Sequence, residues 1–193
     1  MWFLLAPALA IAPTLRRRRD GLMRLADYSM GMAWAQVWHY LGRPDRAWSA
    51  MQRWDAAARR TGGPMVPRLQ IDLEFNWGLA ACAARSRLPQ HKVRLEARAR
   101  KALARIRRIR IPAAQAYAAM LDAGMAQATG AGDLLDKLKV AALTAERLDQ
   151  TLLAMLARVR LEQLGHGEGA VEALRQRGMV APERFVGVVL PPL

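Results

Sequence analysis

The sequence predicts an all-α fold of antiparallel helical hairpins, and three observations carry that prediction. Apolar residues recur at the three- and four-residue spacing of a helix face through most of the chain. Clusters of Gly, Pro and acidic residues punctuate those runs at short intervals. Good helix formers (Ala, Leu, Arg, Met, Gln) dominate, and β-branched residues are few.

Residues Trp2 to Leu15 are almost wholly apolar and run into Arg16–Arg19. As a helix this run would span about 21 Å, short of the roughly 30 Å hydrocarbon core of a bilayer. Pro7 and Pro13 interrupt it, and a secretory signal would carry its positive charges before the apolar run. Residues 1–19 are therefore read as the remnant of a helix whose partner lies upstream. Membrane anchoring with the Arg run on the cytoplasmic side is the competing reading. The helical-repeat domain is expected to occupy 20–193.

The organising unit is the hairpin between Tyr28 and Arg60. Met30, Ala33, Trp34, Val37, Trp38 and Leu41 mark one face, and Ala47, Met51, Trp54 and Ala58 mark the other. The rings of Trp38 and Trp54 are expected to be buried between them. In the hinge YLGRPDRAW (40–48), Gly42 can end a helix in the left-handed region and Pro44 cannot continue one. Asp45 then places a carboxylate beside the free amides of the next first turn. TGGP (61–64) breaks the chain again.

Leu69 to Trp77 alternates as a strand would. A lone strand would leave its backbone groups unpaired, and the run continues into an Ala-rich stretch. The segment from Pro67 to Ser86 is therefore predicted as helix. From Lys92 to Ile111 a strongly basic helix follows, with nine basic residues between Lys92 and Arg110 against the single acid Glu96. Leu95, Ala99, Ala102, Ile106 and Ile109 form its apolar stripe. Arg94, Arg98, Lys101, Arg105 and Arg108 form a cationic stripe beside it, the candidate basic surface.

Pro112 stops that helix, and Ala113 to Thr129 forms the next. In GAGD (130–133), Gly130 and Gly132 are expected to end a helix and Asp133 to cap its successor. The successor runs to Arg147 with Leu134, Leu138, Ala141, Ala142 and Ala145 inward. Leu148 to Leu164 is helical, GHGEG (165–169) breaks it, and Val171 to Arg177 is short. An extended tail follows one last turn around Phe185.

At 193 residues and 53% hydrophobic, the chain can bury a substantial core. All six Trp lie at or before Trp77, and Tyr117 is the only aromatic residue between Gly78 and Arg184. The second half must therefore pack through Ala and Leu. The net charge of +14 allows an acidic partner, nucleic acid or an anionic membrane, but no recognised nucleic-acid motif accompanies it. The single Cys82 excludes an internal disulfide and reads as a small core residue. His39, His91 and His166 are scattered without neighbours at metal-ligand spacing, and no G-x-S-x-G occurs. No enzyme, no metal and no cofactor are expected.

From Tyr28 onward the chain resembles the C-terminal helical-repeat region of large bacterial serine/threonine-protein kinases and related multidomain regulators, best represented in myxobacteria. The stretches that carry the resemblance are YLGRPDRAW (40–48), KVRLEARARKALARIRRIRIP (92–112) with AMLDAGMAQATGAGD (119–133), and RQRGMVAPERFVGVVLPP (175–192). Ala181 stands where that family usually has a polar residue before Pro182, and Leu190-Pro191 where it has a Leu-Ala-Pro ending. The resemblance implies a tetratricopeptide-like α-solenoid, and the leading expectation is a non-catalytic module that binds protein or peptide partners in signalling, with a cytoplasmic location. It brings no kinase, since the Gly-rich loop with its strand lysine, His-Arg-Asp and Asp-Phe-Gly are all missing. Electrostatic binding of nucleic acid or anionic membrane through 92–110 is the alternative, and a membrane-tethered regulator using residues 2–19 is a third. Nucleic-acid binding is expected to be weak and non-specific. Changing Arg98, Lys101 and Arg105 together to Glu is expected to leave the fold nearly intact.

Overall fold

The computed structural model describes residues 25–60 and 66–193, and within them every regular element is helical. The apolar segment 1–19 and the TGGP breaker lie outside the described residues. In chain order the helices are α1 (Leu25–Tyr40), α2 (Pro44–Arg60), α3 (Pro67–Ala84), α4 (Lys92–Arg108), α5 (Pro112–Thr129), α6 (Leu134–Arg147), α7 (Thr151–Gln163), α8 (Ala170–Gln176) and α9 (Pro182–Phe185). Short 3-10 turns cover Pro89–His91 and Val186–Val188.

Local chemistry sets the boundaries. Pro44, Pro67, Pro112 and Pro182 each open a helix, where a missing N–H costs nothing. Gly42 and Gly130 take left-handed φ values of 67° and 68°. Beyond Gly130 the Ala131 amide donates back to the Ala126 carbonyl at 2.9 Å, closing the end of α5. Asp133 does not cap α6; its carboxylate turns to Lys137 Nζ at 3.2 Å instead. Gly132 has no positive φ, so Gly130 alone of that pair takes the left-handed stop.

The helices pack in a repeated order. Each consecutive pair from α1 to α8 is in contact, and in addition α1 packs on α3, α3 on α5 and α5 on α7. α3 is therefore surrounded, and from Glu74 to Ala84 every residue is buried. In the alternating stretch Leu69–Trp77 the burial follows helix spacing instead, with Ile71, Glu74 and Phe75 covered and Gln70, Asp72 and Leu73 only partly so.

In the first hairpin the buried face is turned from the expected one. Gly31, Ala35 and His39 are buried, whereas Met30, Ala33, Trp34, Val37 and Trp38 are half-buried and Leu41 is exposed. Gly31 causes the turn: a Cβ there would stand 2.3 Å from Cδ2 of Trp54, so the indole lies directly on the helix backbone. Trp54 is consequently only half-buried. Among the described residues the buried indoles are Trp48 and Trp77, which meet edge to face with centroids 5.1 Å apart. In α4 and α6 the predicted stripes are inward, with Leu95, Ala99, Ala102 and Ile106 in one and Leu138, Ala141, Ala142 and Ala145 in the other. Ile109 and Leu134 are only partly covered.

Candidate binding surfaces

The cationic stripe of α4 divides into two sets. Arg98 donates from Nη1 to Glu74 Oε2 at 2.8 Å, and Arg105 donates from Nη1 to Glu74 Oε1 at 2.5 Å. Each oxygen of a carboxylate in a 5% exposed residue thus holds one guanidinium. The Arg98 guanidinium also lies 4.6 Å above the centroid of Trp77. These two arginines clamp α4 onto α3. Arg94, Lys101 and Arg108 are exposed and have no carboxylate within ion-pair distance among the described residues. They follow one another at seven-residue intervals, hence about 10 Å apart along the helix. That separation is close to a Debye length at physiological salt, roughly 8 Å. Of the five-residue stripe, only this thin line of screened charges is therefore unpaired. The triple change to Glu would remove both arginines of the clamp, so it is not a neutral surface change.

A second surface runs across the odd-numbered helices, and the chain's own C-terminal segment lies on it. The turn Val186–Val188 packs against α1 and α7. Val186 and Leu190 are fully buried, which corrects the reading of a free extended tail. A Cβ on Gly187 would meet the His39 carbonyl oxygen at 3.3 Å, and one on Gly124 would meet Cδ of Pro191 at 3.2 Å. Gln127 Nε2 donates to the carbonyls of Pro191 at 2.7 Å and Pro192 at 3.0 Å. Arg160 Nη2 donates to the same Pro191 carbonyl at 2.8 Å. The segment is thus held by apolar side chains and read through its backbone oxygens.

Arg160 and Gln127 did not stand out in the sequence, although a signal existed. Arg160 continues the apolar series Leu153, Leu156 and Ala157, and Gln127 continues Met120 and Gly124, at helix-face spacing. A polar residue inside an apolar stripe marks a buried group that needs a partner. Burial lowers the Arg160 pKa to about 10, which leaves the guanidinium charged at neutral pH. Its Nε has no acceptor, and no described carboxylate is close enough to pair with it.

His39, whose backbone carbonyl faces Gly187, carries another buried polar side chain. Desolvation pushes its pKa down from 6.5 to about 4, and its Nε2 has no partner. The neutral ring is therefore the folded form, while the unfolded chain binds a proton below pH 6.5. Stability from this group is complete above 6.5 and is lost as pH falls from 6.5 toward 4, by about 3 kcal/mol in all. Urea unfolding of the parent at pH 7, 5.5 and 4 should show that loss, and His39→Leu should lack this component. His91 and His166 are exposed.

Cys82 is buried and its thiol is pushed up to about 12, chiefly by desolvation, which makes it a poor nucleophile. The crevice that it lines with Arg85, Glu96 and Met125 offers only about 30 Å³, far below the room a metabolite needs. Among the described residues no three His, Cys, Asp or Glu side chains gather as a metal site would require. No described helix is long and apolar enough to cross a membrane. No protein-family model, curated protein or solved structure matches the chain.

Proposed function

We propose that the chain is a non-catalytic helical-repeat module, a tetratricopeptide-like α-solenoid that binds protein or peptide partners in a signalling system. In this reading it is similar to the C-terminal region of bacterial serine/threonine kinases. The observation that carries the proposal is the repeated packing order, in which each hairpin contacts the next through both its helices. Repetition of that kind generates a long surface suited to extended or helical ligands. Panning a displayed peptide library on the intact chain should enrich one family of related sequences. Their affinity should survive Arg94→Glu, Lys101→Glu and Arg108→Glu made together. Failure to enrich any family would remove the support for a peptide-binding module.

The electrostatic reading has one specific observation behind it, the exposed line of Arg94, Lys101 and Arg108. Neutralised phosphates release counterions, so binding through such a line weakens steeply with salt. No aromatic ring of α4 is available for base stacking. DNA and RNA should therefore bind weakly at low salt and largely dissociate near physiological ionic strength in a fluorescence-anisotropy titration. Submicromolar binding at physiological salt, lost in the same triple variant, would put nucleic acid first.

A further inference from the structure

We propose that the segment Val186–Leu193 is an exchangeable internal occupant of a groove across α1, α5 and α7. The external ligand of that groove is an apolar segment, one helical turn followed by extended residues, that brings a carboxylate to Arg160. The proposal rests on the peptide-binding reading above and adds where the ligand sits, what now fills its place and what chemistry displaces it.

The contacts of the segment are those of a bound peptide. Val186 and Leu190 supply buried apolar anchors, and the Pro191 carbonyl accepts from both Gln127 and Arg160. Beyond the Val186–Leu190 turn, side-chain donors to the carbonyls of Pro191 and Pro192 hold the chain with little dependence on its sequence. Gly187 lets its backbone approach the His39 carbonyl, and Gly124 makes room for the Pro191 ring. The prolines limit the conformations that the segment loses on docking.

The fit is also incomplete. Among the described residues, five buried side-chain polar atoms lack a hydrogen-bond partner: His39 Nε2, Asn76 Oδ1, Trp77 Nε1, Gln127 Oε1 and Arg160 Nε. Three of these belong to the residues against which the segment lies. A buried guanidinium that faces one neutral carbonyl is poorly compensated, because its charge has lost water and gained no counterion. A carboxylate would satisfy it with a charge-assisted hydrogen bond. The net charge of +14 favours an acidic ligand over a neutral one during approach as well. The internal segment prevails through its tether, which holds it at an effective concentration in the millimolar range.

The test uses full-length chain and labelled synthetic peptides with the sequence of residues 182–193. Val186→Asp with Leu190→Asp should release the segment while retaining it in the chain. This variant should bind the peptide at least about tenfold more tightly than the parent chain does, because the tethered competitor is gone. A peptide carrying Pro191→Glu or Pro192→Glu should bind more tightly still, and Arg160→Met in the released background should erase that gain. In parallel, a protease site inserted after Gly178 of the parent allows cleavage of the connection with both pieces still present. Excess labelled peptide should then chase the cleaved fragment from the helices, as followed by size-exclusion chromatography.

If the released variant keeps its helical circular dichroism and binds neither peptide, the proposal is overturned. If that variant unfolds, the cleaved parent decides: a fragment that no peptide can chase is a permanent part of the core. Equal binding of neutral and acidic peptides would overturn the role given to Arg160. Peptides selected from a library that bind elsewhere on the intact chain would leave the module reading standing while this inference fails.

Discussion

Arg98→Glu should destabilise the protein by about 3–5 kcal/mol, because it sets a second carboxylate against one that is already buried and removes half of its compensation. Glu74 is 5% exposed, and the Arg98 side chain is itself only 18% exposed, so solvent screens the repulsion weakly. The Arg98 contact with the face of Trp77 is lost at the same time. Urea denaturation should place the midpoint far below that of the parent. Lys101→Glu, one turn away on the exposed line, should change stability by no more than about 0.5 kcal/mol. Glu74→Leu with Arg98→Met should recover much of the loss, since an apolar pair leaves no orphaned charge on either partner. If Arg98→Glu and Lys101→Glu unfold at the same midpoint, the clamp holds nothing.

The second large effect is expected at the buried indoles. Trp48→Ala and Trp77→Ala should each cost about 3–5 kcal/mol, as deletion of a fully buried ring does. The double variant should fall short of the sum, because the edge-to-face contact is worth roughly 0.5–1.5 kcal/mol and can be lost only once. Trp38→Ala and Trp54→Ala should cost less, since both rings keep part of their surface in water. Parallel urea titrations of the four single variants check this order. A costlier loss at Trp38 than at Trp48 would show that the first hairpin is packed on the other face.

What could be read from the sequence follows from the range of the interactions. The stripe of α4 and the inward row of α6 were legible because one side of each helix meets water and the period shows. The stops at Gly42 and Gly130 were legible because the left-handed region selects glycine from local sterics alone. α1 was misread because the approach of Trp54 to Gly31 is decided by the other helix of the hairpin. Five basic residues at helix spacing looked equivalent, yet the partner of Arg98 and Arg105 lies 24 and 31 residues upstream on a different helix. The C-terminal segment has no period at all, only Val, Leu, Pro and one Gly, so its seat could not be inferred locally. Arg160 and Gln127 were the traces of that seat, visible as polar residues inside apolar rows.

The contact of Val186–Val188 with α1 also orders events in time. α1 is among the first described elements to be made, and the turn that covers part of it is among the last. At cellular elongation rates of about 5–20 residues per second, the first hairpin waits on the order of ten seconds for that cover. During the interval His39 and its neighbours face water or a chaperone, and the nascent chain carries an open apolar seat beside the ribosome. Closing it joins the two ends of the helical array into one circuit. The helical assembly thereby gains a contact between elements far apart in the sequence.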